Sequence, residues 1–285
     1  MNKNKFSVII PLYNKEHYII STLESVLNQT YNFFEIIIIN DGSTDKSLEM
    51  LQPFTREERL RIINKRNSGV SASRNLGIEI AQYEWIAFLD GDDLWDKDYL
   101  LEANRMIVTY PEATIIGMNY DCTIPFVNKA YKTEGYIENY FKINLQEYLF
   151  NSSSVIIKKG SFVNEKFRTD LSIGEDIEMW HRLAKNNIIA YCPTIFSFYR
   201  KNISNEISRQ RKSRMNTNWS FHLDFSSTSS KDEKKYLYKI LGATCIISIR
   251  SGSCYDIILL IRKHGLSRVF FSAMQVIKQK LNRRN

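Results

Sequence analysis

The chain has 285 residues, of which 44% are hydrophobic, 25% charged and 13% aromatic, with only 11 Gly and 5 Pro. Such a composition supplies a full core and excludes disordered, collagen-like and fibrous classes, and the length fits one large domain or one domain with an extension. The net charge of +8 taken alone points to nucleic acid or an anionic membrane, but residues 1–199 carry 21 basic and 26 acidic side chains while residues 200–285 carry 18 and 5, so the excess lies wholly in the last third.

The first hundred residues alternate strand-like and helix-like patterns. Phe6–Pro11, Glu35–Asn40, Arg61–Asn64 and Glu84–Asp90 are continuous apolar runs, the form expected of strands buried on both faces of a parallel sheet. Between them, residues 15–29 place Ile19, Leu23, Val26 and Leu27 on one helical stripe with Asn14 as N-cap. Ser43–Leu51 starts with capping residues and stops before Pro53, and Ser71–Ala81 and Lys97–Thr109 also read as helices. This order predicts a doubly wound α/β domain with a mostly parallel central sheet. Further strands are predicted at Thr114–Asn119, Ser153–Lys158 and Ile188–Tyr191, with a helix from Glu175 to about Asn187. Beyond residue 200 come Ser, Lys and Arg clusters and then apolar helices over 236–249 and 255–281, so the division expected is 1–200 and a basic helical extension, 201–285.

Cys122, Cys192, Cys245 and Cys254 are scattered without C-x-x-C spacing, which suits a reducing compartment, and His17, His181, His222 and His264 form no zinc-ligand pair. The apolar run near the start is too brief for a signal peptide, and no stretch reaches the 18 apolar residues of a membrane span. A cytoplasmic protein is expected.

Open α/β sheets bind ligands beyond the carboxyl ends of their strands. Those places hold Pro11-Leu-Tyr-Asn-Lys-Glu16, Asn40-Asp-Gly-Ser-Thr-Asp45, the Asn67–Gly77 segment and Asp90-Gly-Asp-Asp93. Three carboxylates within four residues repel one another unless a cation lies between them, and aspartates suit a hard ion such as Mg²⁺ or Mn²⁺. Gly91 stands second and no Glu falls twelfth, which excludes an EF-hand. In isolation, such a motif also describes a solvated acidic turn, and Asp41 a helix-capping turn. Glu175-Asp176 is a second acidic pair, suited to a helix N-terminus or, functionally, to a general base.

Taken together, Val8-Ile-Ile-Pro-Leu-Tyr-Asn-Lys, Ile39-Asn-Asp-Gly-Ser-Thr-Asp, Asn67-Ser-Gly-Val-Ser-Ala-Ser-Arg-Asn-Leu-Gly, Phe88-Leu-Asp-Gly-Asp-Asp and Gly174-Glu-Asp-Ile-Glu-Met-Trp-His-Arg-Leu resemble, in order, the motifs of the family 2 glycosyltransferases. The resemblance covers roughly residues 5–200. It implies a GT-A fold, a nucleotide-sugar donor (commonly UDP-linked), and hexosyl or N-acetylhexosaminyl transfer with inversion to a glycan or lipid-linked glycan of a bacterial surface polysaccharide. Carried over by position, Tyr13 and Asp41 would hold the nucleobase beside Pro11, with Arg74 at the same end. Asp92 would bind Mn²⁺ or Mg²⁺, with Asp90 nearer the ribose and Asp93 less defined. Asp176 would be the base, with Glu175 its rival.

A sugar nucleotidyltransferase would want a Gly-rich, Arg-bearing loop where Pro11-Leu-Tyr-Asn stands, and no nucleic-acid motif accompanies the basic end. Leu266, Val269, Phe270, Ala273, Ile277 and Leu281 share one helical face, with Arg268, Lys278 and Lys280 off it and Arg283-Arg284 following. Such a helix either packs on the catalytic domain or lies on an anionic leaflet; the latter implies peripheral attachment at the inner face of the plasma membrane.

Overall fold

A computed structural model describes residues 3–122, 131–146, 148–200 and 217–282. The Ser-, Lys- and Arg-rich stretch through residue 216, and Arg283-Arg284, lie outside the described residues. The chain divides into two compact units. One takes in Met1–Glu138, Glu147–Thr169 and Asp176–Gln210, the other Asn139–Gln146, Asp170–Glu175 and Arg211–Asn285.

The first unit is an α/β layer structure around one sheet. In chain order its elements are β1 (Phe6–Leu12), α1 (Ile19–Leu27), β2 (Phe34–Asn40), α2 (Ser47–Met50), β3 (Leu60–Asn64), α3 (Val70–Ile80), β4 (Trp85–Phe88), β5 (Leu94–Trp95), α4 (Tyr99–Thr109), β6 (Ile115–Cys122) and β7 (Gly135–Tyr136). After α5 (Tyr140–Asn144), which belongs to the second unit, come β8 (Val155–Lys158), α6 (Glu175–Leu183) and β9 (Ile189–Tyr199). The strands lie in the order β3-β2-β1-β4-β8-β6-β9-β5, with β7 beside β9. The pairs among β3, β2, β1 and β4 are parallel, as is β6 with β9, while β8 runs antiparallel to both β4 and β6.

Both faces of β2 are buried throughout, and β1 is buried except at Pro11, which explains their unbroken apolar runs. The strand order reverses at β1, which lies between β2 and β4. That makes the carboxyl ends of β1, β2 and β4 the crevice of the sheet. Gly77 lets α3 approach: a Cβ there would lie 2.4 Å from Ile9 Cγ2 on β1.

Several boundaries differ from the sequence pattern for identifiable reasons. Asn14 is not the N-cap of α1; it sits at φ 51°, and its Oδ1 accepts from the Thr44 amide at 2.8 Å, so the helix starts at Ile19. The last strand of this unit runs past Pro193 to Tyr199, because its register with β6 shifts on either side of Asn119, whose amide donates to the Pro193 carbonyl at 3.0 Å. The short strands β5 and β7 carry too few residues to show a period.

The second unit is helical: α7 (Lys231–Arg250), α8 (Cys254–His264) and α9 (Leu266–Asn282). The predicted single helix over 255–281 is interrupted at Gly265, whose φ of 83° no helix accommodates. Ser230 caps α7 by accepting from the Glu233 amide at 3.0 Å. Helices α7 and α9 cross closely at Gly242, where a Cβ would meet the Ser272 carbonyl oxygen at 2.2 Å. The expected single apolar face of α9 divides in two. Val269 and Ala273, with Val276, are buried, whereas Leu266, Phe270 and Ile277 are 65%, 64% and 41% exposed. Among the described residues no helix is long and apolar enough to cross a membrane.

The two glycines give a graded prediction. Because its obstacle is a backbone carbonyl rather than the buried Ile9 side chain, Gly242→Ala should destabilise more than Gly77→Ala, by about 1–3 kcal/mol. Thermal denaturation should show this as a drop of roughly 2–4 °C per kcal/mol; equal or negligible drops would contradict the close crossing.

Candidate active site

The ends of β1, β2 and β4 and the start of α6 each deliver functional side chains. The peptide after β2 presents Asp41, which is 3% exposed. Its two carboxylate oxygens accept from the amides of Ser68 (2.8 Å) and Gly69 (2.9 Å), just ahead of α3, and Lys65 forms an ion pair with it. Tyr13, beyond the end of β1, is 38% exposed, so its ring is open to a stacking partner.

The acidic turn after β4 is held tightly. Asp90 is the most open of the three, and its carboxylate pairs with the buried guanidinium of Arg74 at 2.8 Å. Asp92 is 8% exposed and pairs with Lys15. Asp93 is 1% exposed and accepts from Ser153 Oγ at 2.5 Å and from the Arg200 amide at 3.2 Å. The backbone of the turn is fixed from α1, where Thr22 Oγ1 donates to the Gly91 and Asp93 carbonyls at 3.2 and 2.9 Å. Burial raises the Asp92 carboxyl above its ordinary range, against the pull of Lys15. Burial, and then the charges of Asp90 and Asp92, push Asp93 up much further. A buried acidic group in that condition calls for positive charge.

Asp176, half-buried in the first turn of α6, accepts from its neighbouring Ile177 amide at 2.7 Å and from Ser152 Oγ at 3.4 Å. Burial raises its carboxyl; the Asp90 charge adds to the rise and Arg74 opposes it. Arg74 and Asp90 therefore connect the acidic turn electrostatically with Asp176. The Tyr148 hydroxyl is pushed up to about 12 by burial and by the Asp176 charge, which places it in the same neighbourhood. Consecutive helical residues point about 100° apart, so Glu175 and Asp176 do not share one direction.

Arg74 thus links Asp90, which it pairs with, to Asp176, whose carboxyl feels its charge, and Asp92 and Asp93 follow Asp90 in the same turn, while Asp41 faces the start of α3 with Tyr13 at the end of the neighbouring strand. Arg74, expected at the nucleobase end, pairs with Asp90, the residue expected nearer the ribose. Sequence reasoning missed Lys15, Lys65, Ser153 and Arg200. Lys15 lies in the Pro11–Glu16 segment with no local signal of its partner, and Ser153 shows only as part of an Asn-Ser-Ser-Ser run. A groove of about 620 Å³ bordered by Asn75, Glu79, Tyr83, Lys159 and Phe162 is lined by none of these carboxylates. Glu102, Glu134 and Cys192 also converge, but Arg105 bridges the two carboxylates at 2.5 and 2.6 Å and already supplies their cation.

The family profile described as glycosyl transferase family 2 matches residues 7–169. The chain belongs to that family. An uncharacterized glycosyltransferase of Rickettsia felis is 33% identical over 200 residues, covering 66% of this chain but 32% of that protein, and glycosyltransferase GlyA of Streptococcus pneumoniae is 37% identical over 118 residues, 41% of this chain and 17% of GlyA. This family 2 chain therefore spans a third or less of the length of these two relatives. Among solved structures, S. aureus TarS residues 1–349 superpose with a TM-score of 0.70 at 20% identity, covering 94% of this chain and 80% of that one. The mannosyltransferase PcManGT of Pyrobaculum calidifontis, in complex with GDP-Man and Mn²⁺, gives 0.62 at 16% identity, covering 98% and 89%. At these identities the likeness establishes the fold, which is of GT-A type, with a C-terminal helical region.

One prediction follows from the buried turn. Because the folded Asp93 carboxyl is raised, its ionised form costs stability at neutral pH, and that cost is relieved as pH falls through the folded value toward the unfolded one. In chelator-treated protein, Asp93→Asn should raise the melting temperature at pH 7 by a few degrees (about 2–4 °C per kcal/mol). The gain should shrink as the pH is lowered toward 4; an unchanged or lower melting temperature at pH 7 would contradict the assignment.

Proposed function

We propose that the chain is an inverting transferase that moves a sugar from a nucleoside-diphosphate donor, UDP-linked, to a hydroxyl of a glycan or lipid-linked glycan in bacterial surface polysaccharide synthesis. Residues 1–200 form its catalytic domain and 201–285 its basic helical extension. The observation that carries this reading is the convergence of the buried Asp90–Asp93 turn and Asp176 around Arg74. Support for the donor class comes from the neighbours: TarS has been crystallised with UDP and with UDP-GlcNAc, and PcManGT with GDP-Man and Mn²⁺.

Oxygen ligands, three adjacent carboxylates and raised carboxyl values fit Mn²⁺ or Mg²⁺, held by Asp92 with Asp90 and Asp93 contributing. Such an ion, when bound, supplies Lewis acidity to the departing diphosphate. Tyr13 stacks on the base and the Asp41 carboxylate accepts from its imide N–H, with Pro11 shaping the wall beside them. Asp176 takes the proton from the acceptor hydroxyl. Its raised carboxyl strengthens it as a base, because basicity rises with pKa. A single displacement of this kind needs one base and inverts the anomeric centre; Glu175 is the rival base.

Asp92→Ala and Asp176→Asn separate the roles. Both should lower sugar transfer by roughly 10²-fold or more, but only Asp92→Ala should weaken metal-dependent nucleotide binding measured by calorimetry. Normal transfer by Asp176→Asn would sink the base assignment.

The extension supports a peripheral site at the inner face of the plasma membrane, with cytoplasmic placement otherwise. Helix α9 exposes Leu266, Phe270, Met274 and Ile277 at helical spacing, and Arg250, Arg262, Lys263, Arg268 and Lys278 are exposed in the same unit. Apolar side chains flanked by cations suit an anionic leaflet. Vesicles containing anionic phosphatidylglycerol should float the protein at low salt and release it at about 0.5 M salt, where the Debye length is only a few Å. The double variant Phe270→Ser, Ile277→Ser should lose at least about tenfold in vesicle affinity; indifference of either protein to anionic lipid would remove the membrane reading.

A further inference from the structure

Lys15 is held by an arrangement that a surface lysine does not need. Asn14 is the one non-glycine residue at positive φ among the described residues, a conformation that costs about 1 kcal/mol or more. The segment after β2 fixes that turn. The Asn14 amide donates to Ser43 Oγ at 3.2 Å, the Lys15 amide to Ser47 Oγ at 2.7 Å, and the Glu16 amide to Asp45 Oδ2 at 3.0 Å. The Lys15 carbonyl in turn accepts from the amides of Tyr18 and Ile19, at 2.9 and 3.0 Å. From this braced backbone the side chain passes over Gly91, where a Cβ would stand 3.5 Å from Lys15 Cγ and 3.2 Å from the Pro11 carbonyl oxygen. It ends on the Asp92 carboxylate, with both side chains largely buried, at 17% and 11% exposure.

We propose that Lys15 is an exchangeable internal cation of the acidic turn: its ammonium occupies Asp92 when the site is empty and transfers to the donor's diphosphate when a divalent ion takes that carboxylate. The inference rests on the metal reading given above. An ammonium and a divalent ion would compete for the same carboxylate of Asp92, so an ion arriving alone would have to displace a buried ion pair and leave the lysine without that partner. A diphosphate arriving with the ion offers the released ammonium new anionic oxygens. Lys15 therefore disfavours the ion alone and favours the ion with the nucleotide, which is positive cooperativity, a favourable (negative) coupling free energy between two ligands. Simple structural pairing would stabilise the fold without linking the two.

The test is Mn²⁺ binding, followed by electron paramagnetic resonance and calorimetry on the full chain, with and without saturating UDP, and with GDP in parallel. Relative to the native chain, Lys15→Met should bind Mn²⁺ alone about tenfold more tightly, and the tightening caused by UDP should be at least about fivefold smaller, within the usual range of such couplings. Lys15→Gln, which keeps a polar group beside Asp92, should behave the same way and serves where Lys15→Met folds poorly. Unchanged Mn²⁺ affinity and unchanged coupling in both variants would overturn the exchange while leaving the metal reading intact. Failure of the native chain to take up Mn²⁺ with either nucleotide would overturn both. Metal-free UDP binding that is lost in Lys15→Met, with no Mn²⁺ uptake by either protein, would make Lys15 a permanent substitute for the ion and overturn the exchange.

Discussion

Like charges a few Å apart repel by several kcal/mol even at an effective dielectric of about 20, and the turn after β4 puts three of them into four residues with two almost fully buried. Much of the first unit is organised to hold that turn. Helix α1 clamps its backbone through Thr22, the segment ahead of β8 gives Ser153, the end of β9 gives the Arg200 amide, and α3 gives Arg74. The exit of β1 gives Lys15. Contributions from five places, far apart in sequence, meet on a segment that would be unstable as an isolated loop. Two of those contributions are cations, Arg74 on Asp90 and Lys15 on Asp92, while Asp93, among the described residues, is held by neutral donors alone.

The same constraint acts on the Asp176 carboxyl. Asp176 lies where burial and the Asp90 charge both raise its carboxyl, while Arg74 limits the rise. One guanidinium thus couples the acidic turn to the Asp176 carboxyl, the proposed base. Replacing Arg74 would disturb both ends together, so its effects on binding and on transfer are not separable in the way those of Asp92 and Asp176 are.

The sheet was largely legible because strands buried on both faces leave continuous runs, as Phe6–Pro11 and Glu35–Asn40 do, and because the residues following them formed ordered motifs. Asp41 and the Asp90–Asp93 turn stood out as candidates for the same reason. What escaped depends on contacts distant in sequence. Asn14 looks like an N-cap until the loop after β2 claims its side chain, and Pro193 looks like the end of a strand until the shift at Asn119 accommodates it. Gly265 passes as a tolerated helical glycine, yet its positive φ divides one predicted helix into two. The role of Lys15 is set by a bond across 77 residues, and no local pattern announces such a partner.

The proposed reaction is a single displacement assisted by one base on a metal-held diphosphate. Its most direct test is the anomer first released when α-linked nucleotide sugars are turned over with Mn²⁺ and water as acceptor, followed by proton NMR before mutarotation. The account predicts the β-anomer first, and no turnover after chelation of the metal. Initial release of the α-anomer would mean net retention, which a single inverting displacement does not give, and would contradict it.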